Sequence, residues 1–313
     1  MAQSAPGKHY RKGISLIEIT RMFPDDEAAE RWFTEGRWPT APHCPHCGSA
    51  NVQSGAKHKT MPYRCREKEC AKRFSVRTGT AMEASNLGFQ VWAIAIYLVA
   101  TNLKGVSSMK LHRDLDITQK SAWHLAHRLR TALAEDGGWP FAGPVEVDET
   151  YMGGRERNKH ESKKLKAGRG TVGKTAVIGA KDRATNQVRA QVVPGTDAET
   201  LQGFVQEHAD DGAMVYTDDH RAYQGLPNHQ SVNHSVGEYV DAMIHTNGVE
   251  SFWSMLKRGH KGTFHKMSPK HLDRYVAEFA GRHNIRELDT ADQMRRVATR
   301  MDGKRLRYQD LIR

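Results

Sequence analysis

This 313-residue chain has no apolar run long enough to cross a bilayer. The longest, Val91 to Ala100, is about half of the ~20 residues that a spanning helix needs. Its first residues, Met1-Ala-Gln-Ser4, lack the apolar core of a secretory signal, so a cytoplasmic location without membrane partners is expected. Cysteine is scarce as well, with four in the whole chain, and in a reducing compartment these are better read as metal ligands than as two disulfides. Acidic residues are outnumbered, 36 against 47 Lys and Arg, leaving a formal charge of +11. A surplus of that size favours a polyanionic partner, most commonly nucleic acid. No internal repeat is visible, and the length suits two domains rather than one.

The pattern along the chain changes style twice. Ile14 to Trp38 reads as one amphipathic helix with a restart at Pro24-Asp25-Asp26. Pro39 to Arg77 has no helical periodicity and is rich in Cys, His, Pro, Gly and Lys. Helical patterns follow over Phe89 to Thr101, Val106 to Asp114 and Gln119 to Glu135, ended by Gly137, Gly138 and Pro140. Strands are then expected at Pro144 to Met152, Thr175 to Asp182, Gln187 to Pro194 and Ala213 to Asp218, with a helix at Ala198 to His208 and a last helical region from Asn247 to Asn284. The organisation expected is an N-terminal helix (1–38), a metal-stapled module (39–80), a helical DNA-binding segment (81–138), an α/β domain (139–290) with a basic, loop-like insertion at 155–174, and a basic C-terminal tail (291–313).

Cys44-Pro-His-Cys47 and Cys65-Arg-Glu-Lys-Glu-Cys70 are two short-spaced pairs separated by room for a hairpin, the spacing of a zinc ribbon. Four thiolates closing a tetrahedron around Zn²⁺ leave no open coordination position, so the metal is structural. His43, His46 and His58 lie close enough in sequence for an imidazole to replace one thiolate. Lys57, Lys59, Arg64, Arg66, Lys68, Lys72, Arg73 and Arg77 load this module with cations suited to phosphate contacts.

Val106 to Leu115 and Gln119 to Arg130, joined by Asp116-Ile117-Thr118, have the layout of a helix-turn-helix, with Thr118 as the expected cap of the second helix. Ala122, Leu125, Ala126, Leu129 and Leu133 form its core stripe. Gln119, Lys120, His124, His127 and Arg128 are left to face a major groove. A three-helix bundle would give the same stripe for packing alone.

Three acids in three settings carry the candidate chemistry. Asp148 sits on the apolar strand Val145-Glu-Val-Asp-Glu-Thr-Tyr151, Asp218 ends the strand Met214-Val-Tyr-Thr-Asp218, and Glu250 lies on the helical stretch His245-Thr-Asn-Gly-Val-Glu-Ser-Phe-Trp253. Isolated buried carboxylates are costly, whereas converging ones hold hard divalent cations. Two such ions ~3.5–4 Å apart assist the attacking and leaving oxygens of a phosphodiester. Glu146, Glu149 and Asp219 flank the chosen acids, and strand alternation places Glu146 rather than Glu149 on the face of Asp148. Asn247, Glu250 and Lys257 share one helical stripe, with Arg258 beside it, so Asn247, Lys257 and Arg258 are candidate DNA contacts.

These stretches, together with Ile117-Thr-Gln-Lys-Ser-Ala-Trp123, Val147-Asp-Glu-Thr-Tyr-Met-Gly-Gly154 and Leu256-Lys-Arg258, resemble the insertion-sequence DDE transposases of the ISXO2-like group over about Phe23 to Asn284. The resemblance implies an α/β chain in which a zinc ribbon and a helical helix-turn-helix segment precede a ribonuclease-H-like mixed-sheet catalytic domain. It also implies Asp148, Asp218 and Glu250 as the triad for two Mg²⁺ or Mn²⁺ ions. Members of the group are sometimes described with an asparagine at the third position, which keeps Asn247 open beside Glu250. The substrates would be double-stranded DNA, both element ends and target. Holding two ends implies a homodimer or higher oligomer, associated with the nucleoid when bound. A non-catalytic DNA-binding regulator and a nuclease that only hydrolyses are the competing expectations.

Overall fold

The computed structural model of the chain describes residues 12–134, 137–154, 158–165, 170–232 and 245–313. Two compact units emerge, one comprising Met1–Asn102, Val106–Leu133 and Ile285–Arg313, the other Leu103–Gly105 and Ala134–Asn284.

In the first unit, the helix expected over Ile14 to Trp38 is two helices. α1 (Leu16–Met22) opens on a capping box made by Ser15 and Glu18, and α2 (Asp26–Arg37) opens on Asp25, whose carboxylate accepts the Ala28 N–H. Pro24 lies between them, where its missing N–H and fixed φ end one helix before the next is capped. Three short antiparallel strands follow, β1 (Val52–Gln53), β2 (Tyr63–Cys65) and β3 (Arg73–Phe74), in the order β1-β2-β3. The long apolar helix α3 (Phe89–Thr101) precedes α4 (Ser108–Asp114) and α5 (Gln119–Leu133).

The second unit is built on β4 (Val145–Met152), β5 (Thr175–Asp182), β6 (Val188–Val193), β7 (Val215–Asp218) and β8 (His229–Val232), with α6 (Ala198–His208) between β6 and β7. The sheet order is β6-β5-β4-β7-β8. β4, β5 and β6 are antiparallel neighbours, while β4–β7 and β7–β8 are parallel. This is the mixed five-stranded, ribonuclease-H-like sheet that the resemblance implied. Val145 and Val147 of β4 pack with Leu201, Phe204 and Val205 of α6 on one face. Met152 and Val177 pack on the other face with α7 (Asn247–Gly259) and α8 (Pro269–Asn284). β8 was not expected: its sequence, His-Gln-Ser-Val, has no apolar alternation and is a strand only because β7 pairs with it. The basic stretch 155–174 lies partly outside the described residues. Its described part includes a 3₁₀ turn at Glu161–Lys163.

The chain ends in the first unit. Residues expected as a tail form α9 (Thr290–Thr299) and α10 (Tyr308–Ile312) instead. Met294 and Val297 of α9 are buried with Trp92 and Ile96 of α3 and Leu129 of α5. Five apolar anchors among the basic residues, Met294, Val297, Met301, Leu306 and Leu311, explain why charge composition alone misread this segment. No helix among the described residues is long and apolar enough to cross a membrane.

Candidate active site

The first unit carries the metal staple. The Sγ atoms of Cys44 and Cys70 are 3.7 Å apart and those of Cys47 and Cys65 3.6 Å apart, and all four lie within 4.8 Å of one another. Such separations are far too long for disulfides at ~2.05 Å. They match the ~3.8 Å edge of a tetrahedron with ~2.3 Å metal–sulfur arms, so the cluster fits Zn²⁺ without any histidine. Trp38, Tyr63 and Phe74 pack against one another beside it, with ring centroids 5.3–5.9 Å apart.

α4 and α5 form the expected pair of helices, and Ser121 N–H donates to the Thr118 hydroxyl at the start of α5. The expected core stripe of α5 is buried. Its polar face is mostly not free, which corrects the expectation for three residues. Arg128 is 6% exposed and donates from Nε to the Leu306 carbonyl at 3.1 Å. His124 contacts the same carbonyl through Nε2, and the Lys120 ammonium stands 4.5 Å from the centre of the Tyr308 ring. The C-terminal segment thus covers the outer side of α5, and His127 is wholly buried. Gln119 and Lys120, in the first turn, stay exposed.

In the second unit, β4 turns alternate side chains to opposite faces. Val145, Val147 and Tyr151 join the α6 side, whereas Met152 lies among α7 and α8 residues. Glu149 therefore leaves Asp148 for the other face, where it accepts a 2.8 Å hydrogen bond from the buried Tyr223 hydroxyl. Burial raises the Glu149 carboxyl, with the negative charge of Asp218 adding to it.

Asp148 and Asp218 stand on the paired strands β4 and β7, and Asp218 and Glu250 both lie near enough for their charges to act on Asp148, although the three are distant in sequence. Burial, then the charges of Glu149, Asp218 and Glu250, push the Asp148 carboxyl up to about 7. Asp218 closes β7 with one carboxylate oxygen, Oδ1, buried and without a hydrogen-bond partner. The Glu250 carboxylate accepts from the Thr246 hydroxyl at 3.3 Å. The acids are not gathered as tightly as the thiolates: among the described residues, only the cysteine cluster has three or more ligand atoms all within 4.8 Å of one another. Repelling carboxylates with an unsatisfied buried oxygen are of the chemistry that would hold a hard divalent cation, with Asp148, Asp218 and Glu250 as the oxygen donors.

Glu146 has a different task. It is 2% exposed and accepts hydrogen bonds from Arg183 Nε at 2.8 Å and from the Val249 backbone N–H at 2.9 Å, with His245 Nδ1 at 3.3 Å. It thereby ties β4 to the start of α7. Sequence alternation placed it correctly on Asp148's face; Arg183, in the turn after β5, had no motif to reveal it.

α7 presents the stripe expected of it. Asn247, Glu250, Lys257 and Arg258 are exposed, while Phe252, Trp253 and Leu256 are buried and Met255 half-buried. Asn247 is the first helical residue rather than the cap, which is Thr246. Beyond Lys257 and Arg258 the helix widens into a π segment at His260–Phe264, a local irregularity often found at functional sites. Asp219, next to Asp218, is exposed.

Comparison with known proteins agrees with this arrangement. Residues 140–284 match the ISXO2-like transposase domain and residues 24–73 the transposase zinc-ribbon domain. The chain is 28% identical over 284 residues, 85% of its own length and 93% of the relative's, to an uncharacterized protein in transposable element ISH50 of Halobacterium salinarum. It is 30% identical over 106 residues, 33% of its length and 85% of the relative's, to an uncharacterized transposase-like protein of Haemophilus influenzae. With both of its modules matched in this way, the chain belongs to the ISXO2-like transposases.

Proposed function

We propose that the chain is a DDE transposase that binds the terminal inverted repeats of its element, cleaves the DNA at those ends and transfers the resulting 3′-hydroxyls to target DNA. The observation that carries this reading is the mutual repulsion of Asp148 with Asp218 and Glu250, together with the buried, unpartnered Oδ1 of Asp218. These three would hold two Mg²⁺ or Mn²⁺ ions, which when bound supply Lewis-acid stabilisation of the attacking and leaving oxygens.

The residues of the chain bind and orient. Asp148 and Asp218 project from neighbouring strands, so their spacing is fixed by the sheet. Glu250 reaches them from a helix, and Thr246 holds one of its oxygens. Lys257, about two turns along the same exposed stripe (~10 Å of helix), offers a cation to the phosphates of an end lying beside the acids, and Arg258 adjoins it. Asn247, about one turn before Glu250 on the same exposed stripe, would hydrogen-bond the scissile strand. End recognition falls to the cationic ribbon and to the first turn of α5, where Gln119 and Lys120 remain exposed. His124 and Arg128 support that turn from behind through Leu306. Work on two ends requires a homodimer or higher oligomer, and the cytoplasm, on the nucleoid, is the place for it.

The test is incubation of purified chain with Mg²⁺ or Mn²⁺, labelled element ends and a plasmid target. Joined products support transposition. Cleaved ends without joining indicate a nuclease, and binding without cleavage indicates a regulator. Lys257→Ala should weaken end binding, whereas Glu250→Gln should bind ends and cut none.

A further inference from the structure

We propose that Arg183, anchored on Glu146, is a positioning residue that sets the spacing of Asp148, Asp218 and Glu250 and thereby the affinity of the acidic site for divalent cations. This rests on reading those three acids as metal ligands. The three acids stand on separate elements, β4, β7 and α7, and one guanidinium reaches β4, β7 and the residues that lead into α7. Its Nε donates to Glu146 of β4 at 2.8 Å, with Glu146 one pleat from Asp148 on the same face. Its plane lies 4.3 Å from the ring centre of Tyr216 on β7, two residues before Asp218. An Nη donates to the His245 carbonyl at 2.5 Å, just before α7 begins.

The helix entrance depends on that connection. Thr246 is the cap of α7 but gives it no side-chain cap bond, because its hydroxyl is turned to Glu250. First-turn N–H groups need acceptors, and Glu146 supplies one to Val249, the residue before Glu250. Gly248 makes this approach possible, since a Cβ there would lie 2.6 Å from Glu146 Oε2. Arg183 is itself fixed: its N–H donates to the Pro144 carbonyl, and the Asp182 carboxylate closes the turn through the Ala184 N–H and the Thr185 hydroxyl. A planar fork contacting three partners cannot be replaced by a point charge, so Lys at 183 keeps the charge and loses the geometry.

The experiment compares full-length wild type, Arg183→Lys, Glu146→Gln, Gly248→Ala and Asp148→Asn by calorimetric Mn²⁺ titration without DNA. Thermal melting, end binding in EDTA and end cleavage across Mn²⁺ concentrations are measured alongside. The clamp predicts that Arg183→Lys melts near wild type, binds ends normally and binds Mn²⁺ at least tenfold more weakly, with cleavage restored by raised Mn²⁺. Asp148→Asn should not be restored. Glu146→Gln removes a buried charge partner and is the variant most exposed to misfolding; if it does not fold, Arg183→Lys and Gly248→Ala decide. Wild-type Mn²⁺ affinity in folded Arg183→Lys and Gly248→Ala overturns the clamp. A wild type that binds Mn²⁺ through Asp148 yet never cuts ends overturns the transposase reading alone, because the clamp is judged on the Mn²⁺ titration.

Discussion

Gly179 of β5 lies directly under the indole of Trp253: a Cβ built at residue 179 would meet Trp253 Cη2 at 2.7 Å. Gly179 is also the cross-strand partner of Asp148. The missing side chain therefore sets how closely α7 can settle on the sheet at the level of the acids, one turn from Glu250.

Gly179→Val tests that relationship with a sign that cannot be confused. By strand preference alone valine should stabilise β5. If the helix rests on the glycine, overpacking should instead cost about 1–3 kcal/mol and displace α7. Urea midpoints should fall and end cleavage should drop by more than tenfold while end binding persists. A stabilised variant with wild-type cleavage would show that α7 does not need the close approach.

Asp148 should leave a mark on stability against pH. Its carboxyl is held at about 7 in the folded chain, against ~3.9 when unfolded. Between those values the folded state keeps a proton that the unfolded state has released, so stability present below about pH 4 is lost as pH rises through about 7, on the order of a few kcal/mol. Asp148→Asn removes that loss. In EDTA the variant should gain on wild type from about pH 4 to about pH 7 and level off above that; a constant difference across that window would contradict the assignment.

The cysteine cluster should bring about one zinc per chain through purification, because so small a module has little core without its staple. Elemental analysis of Cys65→Ser/Cys70→Ser should find the metal gone. Zinc retained by that double variant would point to histidine ligands after all.

Leu311, two residues before the last residue of the chain, is 0% exposed. Leu311→Ala should therefore cost about 2–5 kcal/mol in the first unit, as core truncations do. An unchanged melting curve would mean that α10 is detachable and that the outer face of α5 can be uncovered.

Much of this was legible because its signals are local. Cys44, Cys47, Cys65 and Cys70 announce their tetrahedron by spacing, and alternation along β4 separates Glu146 and Asp148 from Glu149. The misses are long-range. Arg128 has the periodicity of an exposed residue and is buried only because Leu306 returns to it. β8 has no pattern of its own and borrows strandness from β7. Arg183 lies in a turn far from every motif, and only the packed structure shows what it touches.

The return of α9 to α3 also fixes an order of birth. On the ribosome, Trp92 and Ile96 emerge long before Met294 and Val297, the residues that cover them. At ~5–20 residues per second that wait is roughly ten seconds or more. The acidic sheet occupies an unbroken stretch, Ala134–Asn284, and can be complete while the helical unit is still open. A message cut short near its end would leave the second unit finished and the first unfinished, its apolar α3 face left to chaperones and proteases.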